Sequence, residues 1–465
     1  MCDWEVGEVM RTEGERVSRS AYLAVLTAGW AAMLVANLPG GHLTLDSILE
    51  LYEGRFRVRQ SWAPSFYAWV LGAFDAIWRG ASLYVAACGL LLFATLASFA
   101  WLRPRVSRWA ALVAALLGLS PLVLIYQAIV WKDVLFADAA VAGMACLAWA
   151  LQAWEARRAR WLRLGAALLL LAAAALLRQN GVLVAAAAAA ALGWARAGGR
   201  WRRGLAWGLG AIAAVVALSQ AMNLATQPPR GEISGDGMAE GVRVLQTYDL
   251  LGATALDPQV PLPAIRRAAP AAETVMRRLA PRVWSAERTD FTDGQPELAD
   301  AMGSVPAAAL AADWRGLILR RPGLYLRERA AVFAWVFLTP RIDRCLPICL
   351  GVQGPGDRLA ALGMSPRWSA QDDRLLAYND AFTRTPAYSH LAYALLALGV
   401  GLVLLRRRDP ADLPMIALMA SALAFAASFF VISIACDYRY LYFLDLAAMT
   451  GLVYIAVDPP RRISP

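Results

Sequence analysis

The sequence predicts an all-α polytopic membrane protein, and three observations carry that prediction. Hydrophobic residues fill 59% of 465 positions and charged residues only 17%, a balance outside the range of soluble domains. Apolar stretches at 20–38, 81–101, 109–126, 134–153, 164–177, 182–195, 204–222, 388–405, 413–434 and 441–457 approach or reach the roughly 20 residues that cross a bilayer as helix. Arginines gather at alternate ends of these stretches, which orders the chain across a membrane.

The first stretch runs into Asn37-Leu38-Pro39-Gly40-Gly41 without a small-residue cleavage site, so it reads as a retained helix rather than a signal peptide. With ten alternating spans, Arg11/Arg16/Arg19, Arg103/Arg105/Arg108, Arg157/Arg158/Arg160/Arg163, Arg196/Arg200/Arg202/Arg203, Arg406/Arg407/Arg408 and Arg461/Arg462 all fall on the N-terminal side. That side is cytoplasmic by the positive-inside rule. The net charge of +10 is thus a topology signal and calls for no nucleic acid. Trp101, Trp109, Trp131, Trp154, Trp161, Trp194 and Trp201 lie near span ends, as interfacial anchors.

Residues 62–78 are apolar enough to count as a span, but they contain Pro64, Asp75 and six aromatic residues. Counting them would invert every later loop. We read them, with the helix-patterned 45–56, as amphipathic helices on the outer surface. Likewise 327–340 is too short to cross and is expected to lie against membrane or bundle.

Five segments follow. They are a cytoplasmic tail, 1–19; an N-terminal transmembrane module, 20–222, with outer-loop helices in 45–78; a mainly helical external domain or long loop, 223–387; C-terminal transmembrane helices, 388–457; and a second tail, 458–465. Within 223–387 hydrophobic density falls, and short helical patterns stand at 271–280, 305–319 and 357–363. Cys345 and Cys349 lie in this external part, where a local bridge across Leu-Pro-Ile is permitted, whereas Cys88 and Cys146 read as small apolar residues.

The outward-facing loops concentrate polar groups. One loop holds His42, Asp46 and Glu50; the next holds Lys132 and Asp133; the next is Arg178-Gln179-Asn180-Gly181; the last holds Asp437, Arg439 and Tyr440. Lys132 is the single lysine among 45 basic residues. Each such group costs several kcal/mol near lipid unless paired or hydrated, so the cluster is a candidate site. One carboxylate, two or three cations and an apolar groove suit a lipid-phosphate-linked substrate. Cations stabilise the phosphate leaving group, and a carboxylate takes the proton from an acceptor hydroxyl.

Here the residues resemble a family. Pro39-Gly40 followed by Asp46-Ser47, Trp62-Ala63-Pro64-Ser65-Phe66-Tyr67, Trp131-Lys132-Asp133, Arg178-Gln179-Asn180-Gly181 and Asp437-Tyr438-Arg439-Tyr440 are similar to the GT-C class of multi-spanning glycosyltransferases. The likeness is greatest to bacterial relatives of the protein mannosyltransferases and lipid A aminoarabinose transferases. It covers most of the membrane part and is weak over 223–387.

The resemblance implies a GT-C-like bundle of about ten helices in a bacterial inner membrane, with its active face periplasmic. It implies transfer, with inversion, of a sugar from a polyprenyl-phosphate donor to a hydroxyl of a glycan, lipid or protein in the cell envelope. Asp46 matches the general base of the class. Many relatives place a second acid beside it, whereas Ser47 follows here, so Asp46 acts alone or with Glu50 one helical turn on. Lys132 and Arg178 would contact the donor phosphate; Arg439 would do the same or pair with Asp437. Asp133 would hold Lys132 or act at the acceptor, Asn180 would hydrogen-bond sugar hydroxyls, and Tyr440 and Tyr442 would belong to the interfacial belt. No cofactor is called for. A divalent metal is the one candidate, and His42 with Asp46 supply too few ligands to define its site.

Two other readings fit parts of the pattern. A polysaccharide polymerase or ligase with a polyprenyl-pyrophosphate donor would use outer-face arginines without depending on Asp46. A lipid-linked saccharide transporter would place ionisable groups near mid-span and break its helices, whereas these spans are nearly free of charge at their centres.

Overall fold

The computed structural model describes residues 2–61, 64–231, 237–287 and 294–460. Trp62 and Ala63 of the resemblance motif, and Arg461/Arg462 of the last arginine cluster, lie outside them.

The described chain is almost wholly helical. Its first part contains α1 (Cys2–Ala36), α2 (Leu45–Phe56), α3 (Ser65–Ile77), α4 (Ser82–Leu102), α5 (Arg108–Leu119), α6 (Pro121–Leu124), α7 (Lys132–Gln152), α8 (Arg157–Leu177), α9 (Val182–Ala197) and α10 (Trp201–Thr226). The middle contributes α11 (Gly237–Leu256), α12 (Pro263–Ala268), α13 (Pro270–Val283), α14 (Pro296–Ser304), α15 (Ala307–Arg320) and α16 (Pro322–Leu338). The last part holds α17 (Gly356–Ala361), α18 (Ala370–Asp380), α19 (His390–Arg407), α20 (Leu413–Ile432) and α21 (Tyr442–Val457). Two-residue strands β1 (Val58–Arg59) and β2 (Arg230–Gly231) pair in parallel.

Among the described residues nine helices are long and apolar enough to cross a membrane. The stretch 109–126 differs from the sequence expectation of a single span, because it is broken and α5 meets the following turn at 68°. Pro121 is the cause: it lacks an N–H and forces Ser120 out of the helical region, to φ −61 and ψ 136. The broken pair still traverses the bundle. Ser107 donates its N–H to Val457 O at one end of α21 (2.8 Å), and Tyr442 at the other end donates to Leu122 O (2.9 Å). Counted as one span, it brings the candidate crossings among the described residues to ten, and the chain is an all-α polytopic membrane protein.

Two compact units divide the chain. The first comprises 1–232, 348–425 and 441–465. At its centre stand α7 and α21, whose spans are 78% and 83% buried, while α1 and α10, each 17% buried, present apolar surface outward. Phe136, Phe425 and Phe443 interlock α7, α20 and α21 through ring contacts of 5.0–5.2 Å. Glycines let other helices approach closely: a Cβ on Gly193 would meet Gly204 O at 2.7 Å, joining α9 to α10.

At the arginine-rich end, buried Arg103 binds Asp409 and Asp458 at 2.8 Å and Asp412 at 3.2 Å. Three loops are thereby tied together. Of the tryptophans read as interfacial anchors, Trp101, Trp109, Trp161, Trp194 and Trp201 are exposed. Trp131 and Trp154 are buried instead, the first donating to Thr44 Oγ1 (3.1 Å) and the second packed on Trp207.

The second unit comprises 233–347 and 426–440, so the stretch 223–387 read as one external region is divided, and 348–387 folds with the first unit. Leu250, Leu251, Leu262, Ile265, Met276, Leu298, Leu310 and Leu317 form its core. Arg329 of α16 is fully buried, with Asp249 at 2.9 Å and Glu328 at 2.7 Å, and it donates to Ser433 O at 2.7 Å. Burial pushes the Asp249 and Glu328 carboxyls up, against the pull of Arg329. The permitted Cys345–Cys349 bridge does not form; Cys345 bonds Cys436, 91 residues away. That disulfide and the Arg329 bonds fasten 426–440 to the unit.

Candidate functional site

α2 carries the predicted acid pair, and local chemistry starts it at Leu45, just before Asp46. Thr44 accepts from the Ser47 N–H while the Ser47 hydroxyl receives the Thr44 N–H, a capping box. Ser47 thus fills the place beside Asp46 with a structural task, and its hydroxyl also bonds Val130 O at 2.6 Å. Together with the Trp131 to Thr44 bond, this seats the first turn of α2 directly on the start of α7.

Lys132 is brought to Glu50 by this seating, with Nζ to Oε1 at 3.9 Å; its side chain is 30% exposed and that of Glu50 only 4%. Asp46 is half-buried and lies one turn before Glu50 on the same helical face. Asp133, expected to hold Lys132, instead forms a cross-helix ion pair with Arg178. Adjacent residues on a helix project about 100° apart, so Lys132 and Asp133 serve different neighbours. Arg178 ends α8 in extended conformation, and Asn180 follows in a single 3-10 turn, half-buried. Gly181 allows that turn to close, since a Cβ there would lie 2.7 Å from Ala174 O.

α3 backs α2. A side chain at Gly54 or Gly72 would run into the other helix's backbone, and Asp75 receives both Arg55 (2.5 Å) and Arg79 (3.0 Å). Tyr67 of α3 is wholly buried; burial first, then the nearby Glu50 carboxylate, pushes its phenol well up.

His42 is a latch between two loops. Its Nε2 bonds Asn37 Oδ1 at 2.8 Å, and its Nδ1 accepts from Gly351 N–H at 3.0 Å, so both nitrogens are engaged. Burial lowers its pKa to about 4, with Asp372 opposing and Arg367 adding to the shift. Among the described residues no group of three His, Cys, Asp or Glu side chains is arranged to hold a metal ion.

Asp437, Arg439 and Tyr440 belong to the second unit. Arg439 binds Asp437 at 2.7 Å, the structural pair that the sequence left open, and Tyr440 stacks on Phe429.

Sequence reasoning missed a buried polar layer within the spans. Asp138 of α7 accepts from Gln127 (2.8 Å), which also donates to Tyr442 (3.0 Å). Tyr442 is fully buried and stacked on Tyr126, so it is not a belt residue. His390 and Asp445 pair at 2.9 Å, both at zero exposure. Asp138 lies six residues into α7 and Asp445 three into α21, roughly 9 Å and 5 Å from their helix starts. Single carboxylates inside apolar runs were the available signal.

No family model, curated protein or solved structure matches this chain. What fold and site define is therefore a class: an all-α polytopic membrane protein with a charged cluster at one end of its bundle.

Proposed function

We propose that the chain is a membrane glycosyltransferase that moves a sugar from a polyprenyl-phosphate donor to a hydroxyl of a glycan, lipid or protein, with the cluster at the extracytoplasmic face of a bacterial inner membrane. The supporting observation is the docking of the acid-bearing α2 onto the start of α7, which puts Asp46 and Glu50 on the helix that meets Lys132, beside Asp133 and Arg178.

In this reading Asp46 accepts the acceptor's hydroxyl proton as its oxygen attacks the anomeric carbon, and the phosphate leaves with the bonding electron pair. Lys132, 30% exposed and paired only loosely with Glu50, neutralises that phosphate with Arg178. Asn180 orients the sugar.

The test is a deletion strain complemented with variants, scored by mass spectrometry of surface glycans and lipid-linked sugars. Accumulated donor with one missing decoration, uncorrected by Asp46→Asn, is the expected result. Full complementation by Asp46→Asn removes Asp46 as base. Lys132→Arg separates charge from ammonium geometry, because full activity would make the lysine dispensable while keeping the cation.

A second reading, a transporter for a lipid-linked saccharide, gains from two observations: the Pro121 break in the third span, and the buried Asp138 and His390–Asp445 groups. In the same strain it predicts stranded lipid-linked sugar on the cytoplasmic side, and Asp138→Asn rather than Asp46→Asn as the inactive variant.

A further inference from the structure

A cavity of about 670 Å³ opens at the arginine-rich end of the first unit, between α9 on one side and α19 and α20 on the other. Its size is that of a small-molecule site. Leu151, Leu404, Leu405, Leu413 and Ile416 supply apolar walls within a turn or so of their helix ends, the depth of the acyl–headgroup boundary. Trp194 and Leu405 line it while 79% and 55% exposed, so the cavity opens onto the exposed apolar surface of the bundle.

Charge at the rim is positive. Arg196 holds its guanidinium 4.1 Å over the Trp154 ring, and its Nε is buried with no hydrogen-bond partner among the described residues. Arg408 stands exposed just past α19. The acid on the rim, Asp409, is already committed to Arg103 at 2.8 Å. By contrast, the cavity at the other end that holds Arg55, Arg79 and Arg367 spends those arginines on Asp75 and on the Pro39 and Gly41 carbonyls.

We propose that this cavity is a binding site for an anionic diacyl phospholipid, its phosphate between Arg196 and Arg408 and an acyl chain along the leucine wall. Guanidinium groups bind phosphate oxygens in forked pairs, and the apolar wall excludes a free phosphate ion from equal affinity. The site is independent of the transferase chemistry.

Native mass spectrometry of the full chain in detergent tests it, with dioleoyl phosphatidylglycerol, dioleoyl phosphatidylcholine, undecaprenyl phosphate and inorganic phosphate as probes. Phosphatidylglycerol is expected to be retained over the others. The double variant Arg196→Gln/Arg408→Gln is expected to weaken its retention about thirtyfold, near fivefold per arginine. Leu405→Trp, which fills the cavity from an exposed position, should weaken it with the arginines intact. Equal retention of phosphatidylcholine, preference for the polyprenyl lipid or for phosphate alone, or unchanged binding in both variants would each overturn the proposal.

Discussion

The Asp133–Arg178 pair offers the sharpest separation of structure from chemistry. Asp133 is 3% exposed and Arg178 17%, so Arg178→Met leaves a carboxylate buried without its cation. Breaking a buried pair costs about 3–5 kcal/mol, and the partial exposure of Arg178 lets water in, which places this site near the lower end, at about 3 kcal/mol. Replacing both partners, as Asp133→Asn/Arg178→Met, removes the uncompensated charge and should recover most of that loss. Thermal unfolding in detergent measures both variants, and the complementation assay measures both activities. If Arg178 also holds the donor phosphate, the double variant folds but transfers sugar about 10–100-fold more slowly, the worth of one charge-assisted hydrogen bond. Recovery of activity along with stability would refute the phosphate role. A double variant no more stable than the single one would refute the pairing argument itself.

Other outcomes follow from the same geometry. His42 has its pKa lowered to about 4, so its latch is intact above the ordinary histidine value near 6.5 and is lost as pH falls toward 4. At pH 5 this linkage removes about 2 kcal/mol, and the acid-side loss of melting temperature should be absent in a His42→Gln variant. Cys436→Ser opens a loop of 91 residues and should lower the stability of the second unit by about 2–4 kcal/mol, whereas Cys349→Ser should leave it unchanged. Peptide mapping of the oxidised protein checks the pairing. Gly54→Leu overpacks the crossing of α2 and α3 and should cost about 1–3 kcal/mol by thermal melts, with reduced activity as α2 and its acids shift.

Much of the membrane part was legible because the bilayer imposes a length and a composition on each element. The stretch 45–56 and α2 agree to the residue, and Arg103 and Arg407, from two of the arginine clusters, meet the same acids, Asp412 and Asp458. The break at Pro121 was also written in the sequence, yet a hydropathy average over 109–126 passes across it. Site legibility was partial. The residues gathered at one end were readable as loop neighbours, but their pairing was not, since Lys132 reaches back to Glu50 and Asp133 across to Arg178.

By itself, then, the sequence determined the helical membrane architecture, because desolvation cost acts on composition and span length alone. Tertiary structure decided what those groups touch: the His42 latch, the Cys345–Cys436 bond, and the burial of Asp138, Tyr442 and Asp445. Such contacts join residues tens to hundreds of positions apart, and their partners are fixed by helix rotation and packing that no local pattern encodes.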